Sequence, residues 1–352
     1  MKIALDITPI QGGFTGHKVR GVGFYLTYLK RALEQYAGHN QFVFFSNGQN
    51  IPRNVDLIHY PYFEPFFVTL PLVKIHRRVV TVHDLTPLVF PKHFPAGFKG
   101  MSRWYIQRFN LVQTERIITD SFFSKKDIVK LVGANDKKVS VAHLAAAEEF
   151  KPLSQDKSTY IKKKYNLPEQ FVLYVGDVTW NKNVPRLMRA IQKIDAPLLM
   201  VGKALVEENF DKTNSWNKDR LEIQKLGNEN SKKFIRLGFI PTEDLVAIYN
   251  SATVFVFPSL YEGFGLPILE AMQSGCPVIT TKESSLPEVA GEAAYYVDGY
   301  DVENIAKGIE TVFNTKKLQD ELSEKAIAQA KKFNWKKTAE ETIEAYRQCL
   351  IH

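Results

Sequence analysis

The chain has 352 residues, more than a single hydrophobic core usually serves, so two domains are expected. Its apolar fraction of 45% against 24% charged residues excludes a disordered or fibrous chain. The formal charge of +8 is unevenly placed: residues 1–150 hold 19 Lys and Arg against 11 Asp and Glu, whereas residues 151–352 hold 27 of each. Cys276 and Cys349 form neither a metal-spaced set nor a disulfide framework, which fits a reducing compartment. The opening MKIALDITPI is too short for a signal peptide, and no run approaches the roughly 18 apolar residues that cross a bilayer. A cytoplasmic protein is expected.

In chain order, residues 2–7 read as a strand. A loop with Gly12, Gly13 and Gly16 follows, and RGVG (20–23) leads into a helical pattern over 24–36, so Gly21 sits at a strand-to-helix transition. The glycines lack GxGxxG spacing, and no acidic residue follows at the ribose position of a dinucleotide site. Strands at 42–46, 57–60, 78–83, 116–120 and 139–143 alternate with helices at 95–114 and 121–132, the latter capped by Ser121 or Ser124. That alternation predicts a doubly wound parallel sheet. His83 ends the strand RRVVTVHD, at the carboxyl end where such sheets bind ligands. A histidine there moves a proton, holds a hydroxyl, or is simply satisfied by backbone. Asp84 is a candidate orienting partner, although strand neighbours point to opposite faces.

Residues 85–114 contain no acid and interleave Lys92, Lys99, Arg103 and Arg108 with Phe90, Phe94, Phe98, Trp104, Tyr105 and Phe109. That mixture suits an anionic membrane surface, or a core helix with a solvated basic face. No nucleic-acid motif accompanies it, so no nucleic-acid partner is expected. The histidines show no metal spacing, and no metal is expected.

The α/β pattern restarts after a polar linker and short helix over 151–166. A strand at 171–176 runs into DVTWNKN, where Asn183 is expected to cap the helix 184–194. Lys182, just before that helix, is placed to meet a phosphate together with the helix N-terminus, though a lone lysine is also an ordinary surface charge. Strands at 197–201, 234–238, 253–257 and 277–281 follow, with helices between them, among them 242–250 opened by Thr242, Glu243 and Asp244. The strand at 253–257 enters PSLYEGFGLPILE (258–270). Here Gly263 and Gly265 permit close backbone approach to a ligand, and Pro267 marks a helix start. Glu262, and Glu270 in the expected first turn, could each accept the paired hydroxyls of a sugar, with a phosphate between them. The plain alternative is a helix cap and a solvated loop charge. A short strand at 293–297 and a helical tail, broken at 333–335, complete the chain.

Together these stretches resemble the retaining, nucleotide-sugar-dependent glycosyltransferases of family 4 (group 1), most closely the bacterial mannosyltransferases of polysaccharide assembly. The residues that carry the resemblance are Glu262 and Glu270 as an E-x7-E pair within PSLYEGFGLPILEAMQSGCPVI, then SLPEVAG (285–291), residues 20–25, VVTVHDLTPLVFP (79–91), TDSFFSKKDI (119–128) and the tail FNWKKTAEETIEAYRQ. The resemblance covers nearly the whole chain. It implies an α/β GT-B fold: two facing Rossmann-like domains with a cleft between them. Residues 1–150 would form the acceptor-side domain, 151–335 the nucleotide-sugar domain, and 336–352 a helix crossing back to the first.

The resemblance further implies transfer of a hexose from a nucleoside-diphosphate sugar to an acceptor hydroxyl with retention, without a metal or other cofactor. GDP-mannose is the favoured donor, and a glycan or lipid-linked acceptor at the inner face of the membrane is the expected partner. His83 would lie beside the transferred sugar, Lys182 against the diphosphate, and Glu262 on the donor sugar. Glu270 would hold the ribose, the backbone of Gly263, Phe264, Gly265 and Leu266 would face sugar and diphosphate, and Gly21 would approach the phosphates. One departure stands out: many members carry an arginine in the loop before the lysine, straight after the glycine or just before the lysine, and this chain has Asp177 and Asn181 at those positions. Rival readings are an epimerase or phosphorylase on the same fold, and a non-catalytic sugar-nucleotide-binding protein.

Overall fold

The computed structural model describes residues 1–11, 19–36, 38–46, 51, 53–229 and 232–351. Gly12, Gly13 and Gly16 lie outside the described residues. The chain divides into two compact units, Met1–Ala145 with Phe333–His352, and Ala146–Lys332.

Among the described residues, the first unit is built on six strands, β1 (Lys2–Asp6), β2 (Gln41–Phe45), β3 (Leu57–Tyr60), β4 (Arg77–Thr81), β5 (Arg116–Thr119) and β6 (Val139–Val141). They pair in parallel in the order β2-β1-β3-β4-β5-β6. Helices α1 (Val19–Tyr36), α2 (Thr86–Val89), α3 (Gly97–Val112) and α4 (Phe122–Asp127) connect them. β3 and β5 are buried along their whole length, as strands covered on both faces must be. The helix expected at 24–36 begins five residues earlier, so Gly21 is the third residue of α1. The strand expected to reach His83 pairs as far as Thr81, which leaves His83 in the loop beyond it.

The second unit carries β7 (Val172–Val175), β8 (Leu198–Val201), β9 (Phe234–Leu237), β10 (Val254–Phe257), β11 (Val278–Thr281) and β12 (Tyr295–Val297). Their parallel order is β12-β11-β10-β7-β8-β9. The chain builds outward from β7 to β9, then returns to lay β10 against the other edge of β7. The direction of winding therefore reverses between β7 and β10, and ligands of open α/β sheets gather at such a reversal. Among the described residues, eight α-helices accompany the sheet: α5 (Gln155–Lys164), α6 (Val184–Gln192), α7 (Lys218–Glu229), α8 (Thr242–Ser251), α9 (Leu266–Gln273), α10 (Leu286–Ala290), α11 (Val302–Asn314) and α12 (Lys316–Ala330). Gly202 lets the ends of β7 and β8 converge, since a Cβ there would stand 2.1 Å from the Gly176 carbonyl oxygen.

The last helix, α13 (Trp335–Ile351), packs on α1 and across β3–β6 of the first unit. Trp335 stacks on Tyr28, with ring centroids 5.5 Å apart. Tyr346 meets the buried His59 at 2.8 Å, and Thr338 donates to the His143 carbonyl. Among the described residues no helix is long and apolar enough to cross a membrane.

One expected cap did not form. Asn183 takes a left-handed conformation (φ 60°) and gives its side chain to the loop after β10 instead of the α6 N-terminus. Thr242 is the first residue of α8, where the sequence places the helix start, with Glu243 and Asp244 in the first turn. Ser121 does cap α4, accepting from the Ser124 amide at 3.0 Å.

Candidate active site

In the second unit, the loops after β7 and β10 meet at the winding reversal. Asn181 and Asn183 bind them together. Asn181 Nδ2 donates to the Tyr261 carbonyl at 2.9 Å, while the Asn181 carbonyl accepts from the Leu260 amide at 2.7 Å. Asn183 Nδ2 donates to the carbonyls of Pro258 and Gly299. Both asparagines are buried, so these bonds fix the loop where water cannot compete. Asn181, which stands where an arginine is common in the resembling family, is thus a structural tie and carries no charge to a ligand.

The loop after β11 braces the other side. Ser284 Oγ accepts from the Glu262 amide at 2.8 Å, and Ser285 Oγ lies within hydrogen-bond distance of the Glu262 and Phe264 carbonyls. Serines in a loop give little warning of this role in the sequence. Gly265 then opens α9 with φ +105°, a conformation that a side chain strains, and a Cβ there would press on Leu286 at 3.0 Å. Gly263, Phe264 and Gly265 are buried, and Leu266 begins the helix.

On this frame Lys182 Nζ lies 2.8 Å from both carboxylate oxygens of Glu262. Side-chain exposures of 20% and 10% leave the pair reachable but sheltered, so its charges act more strongly than in open water. Glu270 falls on the fifth residue of α9, in the second turn and not the first, and so does not cap the helix. Its Oε2 accepts from the Tyr249 hydroxyl at 3.0 Å. Burial raises its pKa to about 7, a rise that the Tyr249 bond only partly offsets.

The first unit holds Gly21 and His83. Gly21 is exposed in the first turn of α1, where backbone N–H groups lack partners within the helix, and nothing stands within 4 Å of where its Cβ would be. His83 Nδ1 lies 2.7 Å from Asp120 Oδ2, and the Tyr25 ring meets the imidazole edge-on at 4.7 Å. Asp84 is not the orienting partner: its Oδ1 accepts from the Thr86 amide and opens α2. Burial pulls the His83 pKa down, but the Asp120 carboxylate, with help from Asp84, carries it above the ordinary range.

Burial also draws the Asp120 carboxyl upward. The imidazole is the stronger base of the two and keeps the shared proton. Asp120 was legible in principle. Thr81 pairs with Ile118 in the parallel register, so two residues further on His83 and Asp120 come level. Among the described residues, no cluster of three or more His, Cys, Asp or Glu is arranged to hold a metal ion.

Known proteins resemble this chain throughout. A family profile described as "Glycosyl transferases group 1" matches residues 157–347. The O-antigen chain mannosyltransferase B of Escherichia coli is 32% identical over 284 residues, which cover 78% of this chain and 71% of that protein. The serotype-specific mannosyltransferase WbdA of Escherichia coli is 28% identical over 298 residues, 82% of this chain but 35% of that longer protein. Among solved structures, sucrose-phosphate synthase from Thermosynechococcus elongatus has a TM-score of 0.76 at 21% identity over 99% of this chain and 98% of that one. HepE of Anabaena, in complex with UDP-glucose, has a TM-score of 0.72 at 18% identity over 99% of both chains. These structural likenesses carry the GT-B fold. With a profile match across more than half of its length, the chain belongs to the group 1 glycosyl transferases and is a transferase.

Proposed function

We propose that the protein transfers mannose from a nucleoside-diphosphate sugar, GDP-mannose being favoured, to a hydroxyl of a glycan or lipid-linked acceptor with retention, in polysaccharide assembly. The observation that carries this reading is the sheltered Lys182–Glu262 pair at the winding reversal, with Glu270 further along α9. A nucleoside-diphosphate sugar offers three chemistries in a row: a ribose diol, a diphosphate and a hexose. Glu270 accepts the ribose hydroxyls, the ammonium of Lys182 neutralises charge on the departing diphosphate, and Glu262 accepts hydroxyls of the hexose. The α9 N-terminus and the backbone of Gly263, Phe264, Gly265 and Leu266 favour the diphosphate. Gly21 offers a first-turn amide to phosphate, and His83 serves the transferred sugar. The site so described needs no metal, because Lys182 and helix N-termini supply the positive charge. The names of the mannosyltransferase relatives support the choice of mannose.

The surface of α3 supports a peripheral place at the inner face of an anionic membrane. Phe98, Met101, Tyr105, Phe109 and Val112 recur at helical spacing and are exposed, Phe98 to 91%. Trp104, Gln107 and Leu111 are buried on the opposite side. The adjoining segment, tied to α3 by the Gln107–Thr69 bond, exposes Phe67, Val68, Leu72, Val73 and Ile75.

The test is a thermal-shift screen of GDP, UDP, ADP and their sugars, followed by incubation of the stabilising donor with and without a mannan acceptor. GDP and GDP-mannose are expected to raise Tm, by about 2.7 kcal/mol of apparent stability at a hundredfold their Kd. Mannose transfer that requires acceptor is then expected. Conversion of the donor without acceptor would sink the transferase assignment in favour of an epimerase.

A further inference from the structure

The loop beyond β4 and the loop beyond β5 bring one imidazole and one carboxylate together where the sequence keeps them 37 residues apart. Asp120 is 3% exposed, and among the described residues its side chain hydrogen-bonds to His83. A carboxylate taken that far from water is costly unless a charged partner meets it. His83 is gripped on several sides: Tyr25 from α1 lies edge-on against the ring, and Ser124 Oγ from α4 donates to the His83 carbonyl at 3.2 Å. Its second nitrogen, Nε2, is buried and makes no well-formed hydrogen bond among the described residues, the Pro61 backbone being the group beside the ring that a sugar oxygen would have to replace.

We propose that Asp120 is a positioning residue for His83: Oδ2 accepts a hydrogen bond from Nδ1–H, fixes the ring, and leaves Nε2–H as the donor presented to an oxygen of the sugar being transferred. This rests on the reading that His83 serves the transferred sugar. Without Asp120, the ring could rotate or carry its proton on the wrong nitrogen, and it would lose the charge that makes Nε2–H a strong donor. The other titratable groups facing the pair do not replace Asp120. Asp84, on the same loop, is engaged with the Thr86 amide. His59, from β3, is held neutral by burial and joins Thr81 and Tyr346. Tyr25 donates to or accepts from Thr81, and the His143 ring, beyond β6, packs against Phe122 and Phe333.

The test follows His83 in the full chain without ligand by ¹⁵N-detected NMR, its signals assigned by their loss in His83→Gln. In the unsubstituted protein, Nδ1 is expected to stay protonated and the ring to titrate above the ordinary histidine range. In Asp120→Asn, its pKa is expected to fall by about one pH unit or more. The alkaline fall of kcat for mannose transfer should move to lower pH by the same amount, with the donor KM little changed. Equal titration of His83 in both proteins overturns the role of Asp120. A shifted titration with an unmoved activity profile overturns instead the placement of His83 at the reaction. If Asp120→Asn does not fold, the unsubstituted protein decides alone: an Nε2–H neutral tautomer, or a pKa at or below 6.5, overturns the proposal.

Discussion

Lys182 and Glu262 are each other's charged partner. Both ammonium–carboxylate contacts are 2.8 Å, so a donor that engages either residue competes with the other. Lys182→Ala removes the charge proposed to meet the diphosphate and strands a sheltered carboxylate. Transfer is expected to fall about 10²–10³-fold, and stability by about 2 kcal/mol, the scale of a hydrogen bond to a charged group. Adding Glu262→Gln should restore most of the stability and none of the activity; equal urea midpoints for the single and double variants would deny the coupling.

Glu270 gives a second expectation. Its folded pKa of about 7 lies above the ordinary 4.5, so its effect on stability is most favourable below about 4.5 and is lost as pH rises through 7. Nucleotide binding should respond the other way. If the ionised form accepts the ribose hydroxyls, affinity rises with pH and levels off above about 7, and binding below that pH releases a proton. Calorimetry in two buffers of different ionisation enthalpy reads this directly. The dependence should vanish in Glu270→Gln. In the sequence, the E-x7-E pair was visible, but the depth of Glu270 was not, because Tyr249 reaches it from a different helix.

At the scale of elements, most strands and helices were legible, since apolar runs and helical periodicity are local properties. What failed was assignment by local chemistry alone. Asn183 has the residue type and position of a cap, yet carbonyls of two distant loops, Pro258 and Gly299, take its amide. The strand before His83 stops at Thr81 because pairing with β5 ends there. For α3, the sequence showed basic residues mixed with aromatics but not which aromatics faced outward. The fold buries Trp104 and leaves Phe98, Tyr105 and Phe109 bare. Replacing these three with serine should abolish flotation with anionic liposomes in low salt while leaving donor-dependent thermal stabilisation unchanged. Equal flotation of variant and parent would remove α3 as the docking face. Because the charges lie near the surface, raised salt should weaken binding before the aromatic contribution is lost.

At the scale of the whole molecule, alternation of strand and helix pointed to two doubly wound sheets, and both are present with parallel order throughout. The order of strands was beyond the sequence, because pairing partners are chosen by tertiary packing. α13 has its own consequence for biosynthesis. Its Tyr346 reaches the buried His59 of β3, and its Trp335 stacks on Tyr28 of α1, so the first unit needs residues translated after the whole of the second. The second unit, one continuous segment, can condense while the face of β3–β6 still waits for its cover. Nascent chains halted before Trp335 should therefore hold a protease-resistant second unit beside a protease-sensitive first one. During that interval the uncovered sheet is a natural client for a chaperone.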